Sequence, residues 1–455
     1  MTDLATRAAA VRPTALRRAA PALLGYAAVR ALGLAVLAVW SAARGRSAYT
    51  LLTARWDSLW YARVAAGGYG YEVRLPSGDV HSDLAFFPLL PRLERLLASV
   101  GPLSYADAGF AVSALASPAA AWGIFAVVDH VYRRGGRPGG RPRQPGRPGE
   151  PTGPEDSGAG RGLGRAAADG RVGVWAVLLW AALPVGIVQS MAYSESLFTA
   201  LAAWSLYCAL TGRWVSAGAV AVLAGLTRPA GLAVVAAVWT AALVSSPGAG
   251  KLSARGAGKL CGRPAVAAPP CGANGAGAAE VPAGPLARRL LARRLLGVLL
   301  APLGAVGYVL WVGRRTGGGL FGYLDVQAGW RNGFDGGYAF ARFVAARLTA
   351  FPSALAGLAL LLGVGLVIWL YVLGVRQGQP LPLLVYTGAV TALALCASSY
   401  FGSKPRLLLP AFPLLLPLAA TLGRARVGRA ALTVGGVAAA SAVYGAFWLN
   451  GSGPP

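Results

Sequence analysis

Asp57 is the residue in this sequence whose type and setting most suggest chemistry. It lies in RWDSLWYARVAAGGYGYEVRLPSGDVHSDLAFFPLLP, residues 55–91, between two apolar stretches. That segment concentrates acids and aromatic side chains in a chain with only 16 Asp and Glu against 42 Lys and Arg. A carboxylate among Trp and Leu near a bilayer is disfavoured unless partnered, at about 2.5–3.5 kcal/mol on insertion scales. Two readings follow. An ion pair with Arg55 or Arg63 would make Asp57 structural, whereas a tuned proton affinity would make it a general base. Trp56, Trp60 and Val64 recur every four residues, and so do Asp57 and Tyr61. On a helix the first set forms one stripe and Asp57 with Tyr61 the adjoining one.

The elements that must hold this segment are apolar helices. The 455 residues are 56% hydrophobic and only 13% charged. Apolar stretches long enough to cross roughly 30 Å of hydrocarbon recur along the chain, and in lipid such stretches are helical. The sequence therefore predicts an all-α polytopic membrane protein with about 11 transmembrane helices, within a range of 9–12. They fall near 21–42, 106–132, 172–190, 195–212, 214–228, 230–246, 295–313, 353–375, 381–400, 406–422 and 429–448. The 214–246 pair, broken at Thr227-Arg228-Pro229, also fits one tilted helix with a re-entrant piece. The first span reads as retained rather than as a cleaved signal. Phe86, Leu89, Leu90, Leu93, Leu97 and Val100 share a helical face opposite Arg92 and Arg95. Interfacial amphipathic helices are thus expected within the first outer loop.

Charge sets the expected orientation. With a cytoplasmic N-terminus, 26 of the 42 basic residues fall on inside segments, while Asp57, Glu72, Asp79, Asp83, Glu94, Glu195, Asp325 and Asp335 fall outside. That is the positive-inside pattern, and it puts Asp57 on the extracytoplasmic face of a multi-pass cell-membrane protein. The net charge of +26 sits in Arg/Pro/Gly loops without interleaved aromatics, so no nucleic-acid partner is expected. Residues 133–171 and 245–285, poor in large apolar side chains, are expected to be disordered cytoplasmic loops within one integral membrane domain, 1–455. Four scattered Cys and two His support neither a disulfide framework nor a zinc site. No cofactor is implied, although Asp79, His81 and Asp83 have side chains that could assist a divalent cation, with loop polarity as the alternative.

RWDSLWYARVAAGGY followed by AFFPLLPRL resembles the PIG-V type mannosyltransferases, the family that includes the GPI mannosyltransferase adding the second mannose. AYSESLFTALAAWSLY at 192–207, LAGLTRPAGL at 223–232, VQAGWRNG at 326–333 and SKPRLLLPAFPLLLPLA at 403–419 are similar to its later segments. The resemblance implies a GT-C glycosyltransferase that takes a sugar from a polyprenyl phosphate on the non-cytoplasmic face. Asp57 then takes the place of the catalytic carboxylate. Glu195 is the second acid, with capping of the following helix as the alternative. Arg228, Lys404 and Arg406 are the cations for the leaving lipid phosphate, with interfacial snorkelling as the alternative. Trp56, Tyr61, Tyr193, Gln327 and Trp330 would wall the sugar or acceptor. The implied partners are the lipid donor, membrane lipids and a glycolipid, glycan or protein acceptor. The Ala-, Gly- and Arg-heavy composition is that of a high-GC bacterial genome, where a GPI acceptor is not expected. A lipid or solute transporter is the alternative. It calls for ionisable groups at the bilayer midplane, and there the sequence offers Arg30.

Overall fold

The computed structural model describes residues 13–134, 170–245, 285–398 and 400–451. The expected disordered loops and the first basic residues lie wholly or mostly outside them. The helices are α1 (Pro13–Ala43), α2 (Ala48–Thr53), α3 (Asp57–Gly67), α4 (Leu89–Val100), α5 (Tyr105–Arg134), α6 (Arg171–Ala181), α7 (Ser194–Leu210), α8 (Trp214–Gly225) and α9 (Gly231–Val244). They continue with α10 (Pro285–Leu300), α11 (Leu303–Thr316), α12 (Gly322–Gly329), α13 (Tyr338–Leu348), α14 (Ser353–Arg376), α15 (Leu381–Cys396), α16 (Lys404–Leu407), α17 (Leu416–Arg424) and α18 (Val427–Leu449). The fold is an all-α polytopic membrane bundle.

Every expected span contains helix, but the count of full crossings differs from eleven. Among the described residues, five helices are long and apolar enough to cross: Ala15–Ala43, Tyr105–Arg133, Ala287–Thr316, Ser353–Arg376 and Val427–Leu449. Phe401–Leu407 with Phe412–Arg424 makes a sixth if the pair, bent by 74°, is one span. The remaining apolar ranges are shorter. α8 and α9 are two separate helices joined through the Arg228-Pro229 turn, so the single tilted helix is not formed.

The physical reason for the short helices is visible at α6. It stops at Ala181, and Pro184 cannot continue it. Gly186–Ser190 then forms a 3-10 turn whose first four residues are buried. Open backbone at this depth survives only where protein satisfies it. Arg30 of α1 donates to the carbonyls of Ala181 and Gly186, and Gln189 Nε2 donates to Trp180 O at 2.8 Å. Ser441 Oγ donates to Leu183 O at 2.6 Å. The one mid-span charge that the sequence offered is thus the clamp of a broken helix.

Close helix contacts elsewhere depend on missing side chains. A Cβ on Gly218, Gly297 or Gly304 would run into the backbone of the facing helix, so α8 lies directly on α10 and α11. Small residues at such crossings let backbones meet and gain dispersion contact that lipid cannot replace.

The first loop between spans holds both expected amphipathic helices, α3 and α4. It also holds the one sheet among the described residues. β1 (Glu72–Arg74) pairs antiparallel with β2 (Val80–Ser82), with Val73 opposite His81. Gly78, at φ +86°, allows the connecting turn. The hydrophilic stretch that carries Asp79 and His81 is this hairpin.

Candidate active site

Two helix N-termini, the turn between α8 and α9 and the short helix α16 build the site. Asp57 is the first residue of α3, and Glu195 is in the first turn of α7. Both positions favour a negative charge, because unpaired N–H groups point out of a helix start. The backbone into α3 is held by Ser58, whose Oγ accepts from Arg55 N at 2.9 Å and donates to Arg55 O at 2.7 Å. Trp56 sits at φ +52°, a left-handed conformation costly for a bulky residue. Strain of this kind, about 1–3 kcal/mol, persists where the surrounding structure enforces it. Here it sits immediately before the carboxylate.

Arg406 joins the two acids. Its Nη2 lies 2.7 Å from Asp57 Oδ2, and its Nε lies 3.8 Å from Glu195 Oε1. Glu195 Oε1 is also 2.9 Å from Arg228 Nη1. The result is a row of alternating charges, Arg228–Glu195–Arg406–Asp57, buried at Glu195 and most open at Asp57, whose side chain is 25% exposed. Arg406 Nη1 is buried and has no hydrogen-bond partner among the described residues. Its guanidinium also lies 5.2 Å from the Tyr193 ring centroid. Neither arginine of the alternative ion-pair reading pairs with Asp57. Arg55 lies over the Trp56 ring at 4.0 Å and Arg63 over the Tyr71 ring at 3.7 Å.

An aromatic wall adjoins the charges. Tyr61, one turn along α3 from Asp57, shares a 2.9 Å hydrogen bond with Ser194 Oγ. Burial pushes the Tyr61 phenol well above its ordinary value, and the Asp57 and Glu195 charges add to this while Arg228 opposes it. The group therefore stays protonated as a donor. Phe86 meets Tyr61 edge-on at 5.2 Å and stacks with Trp60 at 5.6 Å, while Trp330 meets Trp60 edge-on at 4.9 Å. Trp330 is set by its Nε1 donating to Ser82 O at 2.9 Å and by a parallel stack on His81 at 4.0 Å. Burial pushes the His81 imidazole below its usual value, which favours the neutral ring in that stack. Asp79 at the hairpin turn pairs with Arg331 at 2.6 Å. The hairpin thus braces the 326–333 segment.

The remaining sequence candidates fall into place around this group. Tyr193 occupies the N-cap position of α7 without a side-chain cap bond, and its hydroxyl donates to Arg55 O at 3.5 Å. Gln327 is occupied locally: its Nε2 pairs with the Tyr323 hydroxyl at 2.6 Å and its Oε1 accepts from Asn332 at 3.1 Å. Lys404 is not joined to the charged row. Its ammonium donates to the carbonyls of Ala394, Leu395 and Ala397 at 2.9, 3.3 and 2.7 Å, closing the end of α15. Three acceptors match its three protons, which leaves none for a phosphate. Asp83 accepts from the N–H groups of Gly70 and Tyr71. Asp79 is engaged by Arg331, and no group of three or more metal-ligating side chains occurs among the described residues. Phe86, which the sequence placed on the amphipathic helix face, instead precedes α4 in extended backbone and joins the site, and Ser194 belongs to it without having been singled out. Each stands inside a motif that was noted, AFFPLLP and AYSES.

Glu94, in α4, is a buried acid outside the charged row. It is 1% exposed, and its Oε2 lacks a partner among the described residues. Burial pushes its carboxyl up to about 9 from an ordinary 4.5. Between those values the native state holds a proton that the unfolded chain has released, so stability falls as pH rises. The unfolding midpoint of the purified protein is expected to drop from pH 5 to pH 8, and Glu94→Gln to flatten that drop. An equal drop in the variant would remove Glu94 as its source.

No family profile matches the chain, and no curated protein matches it. Among solved structures, it is similar to the crystal structure of ArnT from Cupriavidus metallidurans bound to undecaprenyl phosphate. The two are 15% identical, with a TM-score of 0.43, over 90% of this chain and 62% of that one. The chain thus spans less than two thirds of the length of that neighbour.

Proposed function

We propose that the chain is a membrane glycosyltransferase that moves a mannosyl or other hexosyl residue from a polyprenyl-phosphate sugar to an acceptor on the non-cytoplasmic face. The acceptor is a glycolipid, a glycan or a protein. The observation that carries this reading is the Arg228–Glu195–Arg406–Asp57 row, with an accessible carboxylate at one end and an unpartnered buried donor on Arg406. The acceptor oxygen attacks the anomeric carbon and its proton passes to Asp57. The bond from that carbon to the phosphate oxygen breaks, and polyprenyl phosphate leaves with the bonding electrons. Its developing charge is met by Arg406, with Arg228 behind Glu195. General-base help of this kind contributes about 10²–10⁴ in rate, and fixed cations placed where charge develops add to it. Trp60, Phe86 and Trp330 offer apolar faces for a sugar ring.

Arg30, the one mid-span charge that the sequence offered, is engaged by the carbonyls of the broken helix, which does not favour the transporter reading. Purified protein incubated with radiolabelled polyprenyl-phosphate mannose and a cell-envelope lipid and glycan extract is expected to label the extract. No transfer from any polyprenyl-phosphate hexose would overturn the proposal.

A further inference from the structure

A second cluster of cations lies outside the row described above. α1 and α18 pack along their lengths and end at the same level, with Trp40 edge-on to Phe447 at 6.5 Å. Beyond their ends a cleft of about 560 Å³ is lined by Arg46, Ser47, Thr50, Arg55 and Asn450. Arg46 donates to Asn450 O, and Arg55 donates to Leu449 O at 2.7 Å. Arg55 also donates from both terminal nitrogens to Gly451 O at 3.4 Å, and N–H donors remain over on each of the two guanidiniums, which carry five apiece. Neither arginine has a carboxylate partner among the described residues. Partial burial, and then the neighbouring Arg46 charge, push the Arg55 guanidinium below its ordinary value. Two like charges are held together with no acid paired to either among the described residues.

Directly along the helices from this cleft, the surface is hydrocarbon. One groove is lined by Ala35, Val36, Val39 and Trp40 and reaches Arg44. Another, on the other side of Trp40, is lined by Val443, Tyr444 and Phe447. Val39 is 73% and Phe447 59% exposed, so both grooves face outward from the bundle. None of their lining residues belongs to the Asp57 row. A basic cleft above lipid-facing apolar grooves has the two halves of one ligand chemistry: a phosphate headgroup and a hydrocarbon chain.

We propose that this seam binds an anionic phospholipid of the surrounding bilayer, its phosphate between Arg46 and Arg55 and an acyl chain along Trp40. Ser47 and Thr50 supply hydroxyl donors beside the two guanidiniums. The site lies two residues before Asp57 in the chain, so the bound lipid would brace the strained turn at Trp56 from outside the reaction centre. This proposal is independent of the transferase reading.

Delipidated full-length protein, titrated with phosphatidylglycerol and followed by native mass spectrometry, tests it. Phosphatidylglycerol is expected to bind at least tenfold more tightly than diacylglycerol with the same chains. Raising salt should weaken the first and spare the second. The double variant Arg46→Gln, Arg55→Gln is expected to lose that preference, and Arg46→Lys, Arg55→Lys to keep most of it. Because both arginines also bond the C-terminal backbone, the Lys pair and the salt series read the site even where the Gln pair fails to fold. Equal binding of diacylglycerol, or an unchanged preference in a folded Gln pair, would overturn the proposal. Displacement of phosphatidylglycerol by equimolar polyprenyl phosphate would overturn it too, making the seam a donor seat.

Discussion

Asp57→Asn is expected to lower transfer by about 10²–10⁴-fold while leaving the protein folded. The amide keeps the shape of the carboxylate and can still accept from Arg406 Nη2, which lies 2.7 Å from Oδ2. It cannot take the acceptor proton. The loss of charge at a side chain 25% exposed is partly screened by water, so the stability cost is expected to stay near 1 kcal/mol. The informative readout is the pairing of two numbers. The rate constant for transfer should fall while KM for the lipid donor changes little, since Arg406 still has Glu195 behind it. A variant that transfers at the wild-type rate would remove Asp57 as the base. A fall in rate matched by an equal fall in unfolding midpoint would make Asp57 a structural anchor of α3 instead.

Asp57 was legible in the sequence because it is an acid where acids are scarce, flanked by aromatics at helical spacing. Its partner was not, because Arg406 comes from near the far end of the chain and no local pattern links them. The nearby arginines, Arg55 and Arg63, each lie over an aromatic ring. Lys404 and Arg406 look equivalent as sequence, two cations beside an apolar run. The short α16 sends them to different places: one to the open end of α15, the other between two carboxylates. Glu94 was hidden for a related reason. It stands between Arg92 and Arg95, and a polar stripe is the natural expectation there. Yet it is four residues from the fully buried Leu90 and shares its inward face. The hairpin at Glu72–Ser82 was unreadable because three-residue strands are too short to display a period of two. Bundle class followed from hydropathy. The number of full crossings did not, because hydropathy counts apolar length and cannot see that Arg30, Gln189 and Ser441 make a broken helix tolerable at depth.

Glu195→Gln is expected to behave in the opposite way to Asp57→Asn, with stability as the main loss. Glu195 is 1% exposed and stands between two arginines whose side chains are 14% and 10% exposed. Removing its charge leaves Arg228 without its anion and Arg406 with Asp57 alone, in surroundings that water scarcely reaches. Breaking a buried pair from one side costs about 3–5 kcal/mol, because the surviving charge stays desolvated. Taking Arg228 away as well removes one of those stranded charges. The double variant Glu195→Gln, Arg228→Gln is therefore expected to be less destabilised than the sum of the two singles, with a coupling above about 1 kcal/mol. Unfolding in a graded detergent mixture, followed by tryptophan fluorescence, gives all four corners of the cycle. A Glu195→Gln protein as stable as wild type, or two singles that simply add, would show that the row is not an electrostatic unit. Arg406 would then have to be held by Asp57 and the Tyr193 ring alone. If the coupling is found, the buried end of the row is what fixes Arg406, and Asp57 at the accessible end is left free to exchange a proton.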